Sequence, residues 1–220
     1  MPKPLTESKR EVAIEIYNRL ISLYGKSQCP LDFDNDPFRL LIAVMLSAQT
    51  TDKAVNKVTP NLWKAYPTAF DLSMANVVDV EKIISSIGLF HVKANRCVDI
   101  ADAIVNKYGG EVPCDFKELQ TLPGVGRKTA NIVMNEGFLK PCGIAVDTHV
   151  FRIAKMLSLV DRDLKDPNKV EDELKKIFPK ECWGQINRIF VLFGREICIA
   201  NRPKCKICPL AYLCPHEISL

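Results

Sequence analysis

The feature that most narrows the fold is a near absence of alternation. Almost no stretch of six or more residues switches strictly between apolar and polar, whereas apolar residues recur three or four apart, the spacing that lines one face of an α-helix. The sequence therefore predicts an all-α protein. Ile14, Ile16, Tyr17, Leu20, Ile21 and Tyr24 stripe a first helix ended by Gly25. Phe38, Leu41, Ile42, Val44, Met45 and Leu46 make a second, apolar nearly all round and so buried. Thr50, Thr51 and Asp52 offer caps for a third helix running towards Trp63. Further stripes cover 77–87, 94–108, 129–138, 150–159, 170–178 and 186–197, joined by short segments punctuated by Gly, Pro or Asp. A helix count near ten is too many for one simple bundle and is consistent with two helical lobes, whose border composition does not mark. No internal repeat or low-complexity tract interrupts the pattern.

Composition narrows the class further. With 47% hydrophobic and 25% charged residues over 220, the chain can bury a substantial core, which excludes disorder, collagen and coiled coil. A net charge of +4 permits a nucleic-acid partner without implying one. No apolar region follows the basic N-terminus, and no run approaches the ~18 apolar residues of a membrane span. The expectation is an intracellular protein, in the cytoplasm or nucleoid if prokaryotic, with no membrane partner.

Nine cysteines are present, and four of them, Cys198, Cys205, Cys208 and Cys214, fall within 17 residues as Cys-x6-Cys-x2-Cys-x5-Cys. In a reducing compartment such a cluster reads as a metal site rather than disulfides. Four thiolates can close a tetrahedral zinc site or hold a cubane iron-sulfur cluster. One close pair flanked by single cysteines favours the cluster, since structural zinc more often uses two close pairs. Pro203 and Pro209 bend the chain where a ligand loop must turn. Arg195, Arg202, Lys204 and Lys206 surround these cysteines with Glu196 the only acid from 193 to 206. They read either as a phosphate-contact surface or as solvated charges balancing an anionic cluster. Cys29, Cys97, Cys114, Cys142 and Cys182 are scattered singly and read as small buried hydrophobes.

The other dense signal is Leu122-Pro123-Gly124-Val125-Gly126-Arg127-Lys128-Thr129-Ala130-Asn131, between a short amphipathic stretch at 116–122 and a clear helix. Two glycines two apart let the backbone turn sharply and bring N–H groups against an anion, with the following helix start adding favourable charge. The spacing is neither that of a P-loop nor of a dinucleotide fold. Lys128 lies in the first helical turn, where the dipole and neighbouring Arg127 both disfavour its charge. An ordinary lysine, with pKa ~10.4, is only about one part in a thousand neutral near pH 7.4, so a nucleophilic role needs this depression plus burial. Asp147, in Ala145-Val146-Asp147-Thr148-His149-Val150-Phe151-Arg152, precedes a helical stripe and reads as its N-cap, with Thr148 competing. A carboxylate near a neutral amine can also stabilise a developing cation and shuttle protons. His149 reads as a contact to substrate backbone.

These motifs, in this order and spacing from about Pro37 to Cys214, resemble the endonuclease III family of helix-hairpin-helix DNA glycosylases. The resemblance includes Leu-Ser-Ala-Gln-Thr-Thr-Asp at 46–52 and Ile-Gly-Leu-Phe-His-Val-Lys-Ala at 87–94. It implies a six-helix barrel lobe at 30–140 containing the helix-hairpin-helix (about 116–136), and a second lobe from 1–29 plus 141–220 with the cluster loop 198–214. The resemblance implies that DNA lies across a cleft between these two lobes. The resemblance makes Lys128 the nucleophile and Asp147 the essential carboxylate. Gln49 would fill the gap left by an extruded nucleotide and Leu89 would wedge the opposite strand. Gly124, Gly126, Arg127, His149, Arg152, Arg202 and Lys204 would contact DNA, and the four clustered cysteines would hold a [4Fe-4S] cluster. Family members often place His where Phe193 precedes Gly194-Arg195, a departure that bears on local contacts only.

The implied partner is double-stranded DNA bearing a damaged base or AP site, and the implied state a monomer. Lys128 would attack C1′ of an extruded nucleotide and displace an oxidised pyrimidine, and the resulting Schiff base would allow β-elimination 3′ to the lesion. Two alternatives stand beside this: a monofunctional adenine or mismatch-thymine glycosylase of the same superfamily, and a non-enzymatic iron-sulfur module for DNA binding or redox sensing. Lys128, where those glycosylases carry Ser or Tyr, argues against the first.

Overall fold

A computed structural model describes residues 9–26 and 28–215, and among these residues there is no strand. The N-terminal segment 1–8, expected to hold no apolar leader, and the tail 216–220 lie outside the described residues. Eleven α-helices follow in order: α1 (Lys9–Tyr24), α2 (Pro37–Leu46), α3 (Asp52–Ala65), α4 (Ala69–Ser73), α5 (Val77–Ile84), α6 (Phe90–Tyr108), α7 (Phe116–Leu119), α8 (Arg127–Ile132), α9 (Thr148–Met156), α10 (Pro167–Ile177) and α11 (Trp183–Glu196). None of them is long and apolar enough to cross a membrane. The chain divides into two compact units, one formed by Cys29–Lys140 and the other by Met1–Gln28 with Pro141–Leu220.

The Cys29–Lys140 unit is built around α2. Asp36 caps it by accepting from the Phe38 amide at 2.8 Å, and Pro37 opens it with a preset φ. Phe38 and every residue from Leu40 to Leu46 are buried, so the helix is enclosed on all faces, as its composition requires. The third helix starts where its caps were expected: Thr51 accepts from the Ala54 amide at 3.2 Å. The long α6 begins at Phe90, four residues ahead of its apolar stripe, because Leu89 turns the chain in a left-handed conformation with no side-chain cap. Gly109, also left-handed at φ 62°, ends it. The short α4, held by a reciprocal Thr68–Asp71 capping box, has too few residues to show a stripe. The stripe expected at 129–138 is split, since α8 stops at Ile132 and the chain widens into a π-turn at Val133–Gly137.

In the other unit, α1, α9, α10 and α11 share a core that includes Ile16, Leu20, Val150, Ile153, Phe190 and Phe193. Phe178 meets Phe190 edge to face at 6.5 Å between centroids. Leu210, wholly buried, carries the cysteine loop into the same core. That loop is also fastened to α1, where the Tyr212 hydroxyl donates to Glu15 at 2.8 Å and Arg19 lies over the Tyr212 ring.

Candidate active site and nucleic-acid interface

Within Cys29–Lys140, the glycine segment forms a tight hairpin between α7 and α8. Asp115 starts α7 by accepting from the Lys117 and Glu118 amides, and Leu122 and Val125 anchor the hairpin by burial. The Val125 amide donates to the Leu122 carbonyl at 3.1 Å. The two glycines have different reasons to be there. Gly124 has φ +72°, and a Cβ on it would lie 2.7 Å from the Arg96 side chain of α6. Gly126 has a negative φ and open space where a Cβ would be, so nothing in the fold demands a glycine there. Arg127 and Lys128 open α8 directly behind Gly126. Lys128 is exposed, so the burial that a nucleophilic role requires is not provided within its own unit.

A polar brace sets the angle of α7. Lys107 donates to Glu118 at 3.0 Å and to Thr121 at 2.9 Å, and the Tyr108 hydroxyl donates to Glu118 as well. The Tyr108 hydroxyl, followed by Lys107, holds the Glu118 carboxyl below the usual carboxylate range. Two further expected residues of this unit, Gln49 and Leu89, sit exposed on turns, with φ of 54° and 61°. A left-handed conformation costs an ordinary L residue about 1–2 kcal/mol, so both turns need outside support.

In the second unit Asp147, not Thr148, caps α9. Its Oδ1 accepts from the His149 amide at 2.9 Å and the Val150 amide at 2.8 Å, leaving Oδ2 out of the cap. His149 is half-buried, and its Nδ1 lies 2.6 Å from where a Cβ on Gly194 would stand, so Gly194 is what lets α9 and α11 approach. Phe193, the departure from the family pattern, is 1% exposed and fills the core there.

Arg152 is turned to the cysteine loop. Its Nη2 donates to the Cys198 carbonyl at 2.6 Å, and Nη1 lies 3.6 Å from the Cys198 sulfur, so it serves the cysteine loop. Arg202 and Lys204 are exposed on that loop, where the Lys204 amide donates to the Ile197 carbonyl at 2.9 Å.

The four expected thiols, all half-buried and free, line one cavity of about 740 Å³ together with Phe193 and Ile197. Short 3-10 turns at Cys205–Ile207 and Ala211–Leu213 set the last three in place. Burial raises the Cys198 and Cys208 thiols, and both also feel the other clustered sulfurs, although Arg152 opposes the rise at Cys198. Thiols that disfavour one another's ionisation in an apolar cavity suit a cationic core that binds the thiolates and displaces their protons to solvent. The donor set, four thiols lining one cavity, fits a metal group that takes four thiolate ligands.

The helical hairpin and its surroundings define a helix-hairpin-helix protein: the model of the HhH-GPD superfamily base excision DNA repair protein matches residues 42–180. The chain is 42% identical to endonuclease III of Synechocystis over 94% of each chain. It is also similar, with a TM-score of 0.87, 42% identity and coverage of 94% and 95%, to an endonuclease III solved as a trapped covalent intermediate with DNA. A thermostable thymine-DNA glycosylase has the same fold, with a TM-score of 0.84 at 25% identity over 96% and 98% of the two chains. This chain belongs to the endonuclease III family.

Proposed function

We propose that the chain is a bifunctional DNA glycosylase and AP lyase of base excision repair, removing oxidised pyrimidines from duplex DNA and cutting 3′ to the resulting AP site by β-elimination. The observation that carries this reading is Lys128, an exposed amine in the first turn of α8 directly behind a glycine hairpin, in a chain similar to an enzyme that has been trapped covalently on DNA. Its substrate is double-stranded DNA holding a damaged base or AP site, and its compartment is the one that holds the DNA.

Extruding the target nucleotide costs a few kcal/mol, least for a damaged and poorly stacked base, so selection begins before chemistry. DNA laid over the hairpin encloses Lys128 and strips the water from its amine, supplying the burial that the free chain lacks. Neutral Lys128 then attacks C1′ and the base leaves. Asp147, using the carboxylate oxygen outside the α9 cap, stabilises positive charge on the sugar and moves protons. The Schiff base on Lys128 acidifies the neighbouring sugar protons, and elimination breaks the strand. Gln49 and Leu89 enter the duplex. Gly124, Gly126, Arg127, Arg202 and Lys204 approach its phosphates, and His149 its backbone.

Cys198, Cys205, Cys208 and Cys214 would hold a [4Fe-4S] cluster. That group supplies a fixed core on which the basic loop is folded, and base excision calls on it for no electron. The lysine decides against a mismatch-thymine glycosylase, despite the shared fold. Borohydride should trap the chain on duplex carrying thymine glycol, and Lys128→Gln should bind the same duplex without trapping. A Lys128→Gln protein that still traps would remove the assignment.

A further inference from the structure

The least expected side chain in Cys29–Lys140 is Lys93, only 4% exposed although it bears an amine. A buried cation is expensive unless it is partnered, and an apolar residue is the ordinary occupant of this face of α6, which it shares with Ala94, Cys97 and Ile100. Burial lowers the Lys93 pKa. The side chain's partner lies far away in sequence: Nζ donates to Thr50 Oγ1 at 2.6 Å.

Thr50 directly follows Gln49, and the Lys93 amide donates to the Leu89 carbonyl at 3.0 Å in the first turn of α6. One residue thus touches two of the turns of this unit that present an exposed side chain at positive φ, those of Gln49 and Leu89. The Gln49 turn is closed by the Thr50 amide donating to the Ser47 carbonyl at 3.1 Å, but neither turn has a strong side-chain anchor of its own. Leu89 has no side-chain cap, and apart from Lys93 the Thr50 hydroxyl has only a long 3.4 Å bond to the Ala48 carbonyl.

We propose that Lys93 is a positioning residue for nucleotide extrusion: by tying Thr50 to the first turn of α6, it holds Gln49 and Leu89 at a fixed separation for simultaneous entry into the duplex. The proposal rests on the reading that these two residues enter DNA. Preset side chains lose less freedom on insertion, so the tether lowers the cost of opening a pair. Its effect should be large for a damaged base that must be unstacked, and small for an AP site, which has no base to extract.

The test compares Lys93→Met and Thr50→Val with the unaltered holoprotein in single-turnover reactions on duplexes containing thymine glycol or a preformed AP site. 2-Aminopurine opposite the lesion reports unstacking. We expect base excision to fall about tenfold or more in each variant, corresponding to loss of one charge-assisted hydrogen bond, with AP-site cleavage changed less than about threefold. The 2-aminopurine signal should drop in parallel, and the double variant should lose no more than either single one. Unchanged excision in Lys93→Met, or equal losses on both substrates in Thr50→Val, overturns the proposal. If Lys93→Met does not fold, Thr50→Val decides alone. If the unaltered protein excises no thymine glycol, the glycosylase reading fails instead, which the same assay registers separately.

Discussion

Arg152 and Cys198 are joined twice, by the 2.6 Å bond from the guanidinium to the Cys198 carbonyl and by the approach of the same group to its sulfur at 3.6 Å. A bond from a charged donor contributes about 1.5–3 kcal/mol. Arg152→Gln should therefore lower stability in urea unfolding by an amount in that range. It should leave the salt dependence of DNA binding unchanged. A stable variant whose salt slope drops by about one would restore Arg152 to the DNA surface.

Asp147 uses one carboxylate oxygen for the α9 cap, which separates its structural and chemical duties by atom. Asp147→Asn keeps an oxygen for the cap and should melt within about 0.5 kcal/mol of the unaltered chain. Asp147→Ala should lose about 1 kcal/mol. Both should excise thymine glycol far more slowly than the unaltered protein. Full excision by Asp147→Asn would reduce this residue to a cap.

The hairpin glycines should respond differently to a methyl group. Gly124→Ala meets both a positive φ and the Arg96 side chain, and should cost about 1–2 kcal/mol of stability. Gly126→Ala meets neither, and its melting point should stay close to that of the unaltered chain, while DNA affinity falls because the added carbon stands in the path of the backbone phosphates. Equal loss of stability in the two variants would contradict this division.

Cys97 links stability to alkaline pH. Burial pushes its thiol up to about 12, against the opposing charge of Lys93, from an ordinary 9.0. The folded chain thus keeps a proton that the unfolded chain gives up. The stability due to this difference is complete below pH 9 and is lost between pH 9 and about 12, with a slope of about 1.4 kcal/mol per pH unit. Lys93 acts the other way. Its lowered pKa means that the unfolded chain holds the extra proton, so its penalty lifts as pH rises towards 10.5. The stability gap between the unaltered protein and Cys97→Ala, measured by urea unfolding across this range, should close as pH rises. A gap that stays constant would mean that Cys97 ionises alike in both states.

Local pattern made most of the helices and several caps legible. The stripe of α2 and the oxygen of Asp147 act within a few residues of themselves. What stayed hidden depends on distant partners. Arg152 reads like any basic residue of a DNA-facing motif until Cys198, 46 residues on, is found beside it. Lys93 carries no local signal of its burial, because its partner Thr50 lies 43 residues back. The start of α6 was missed for a related reason, since a left-handed leucine sends no capping signal. Lys128 was legible as a candidate from its hairpin, but its exposure is set by tertiary packing that the local pattern does not encode.

The helix α6 carries Leu89 at its head, Lys93 and Arg96 on the following turns, and the Lys107 brace near its end. At 1.5 Å per residue it acts as a ruler about 27 Å long between the wedge turn and the support of the hairpin. One residue inserted in mid-helix would turn everything beyond it by about 100°, swinging Lys107 away from Glu118 or Leu89 away from its turn. Changes of length are thus closed to this stretch of chain, whereas the exposed turn at 161–163 could absorb them.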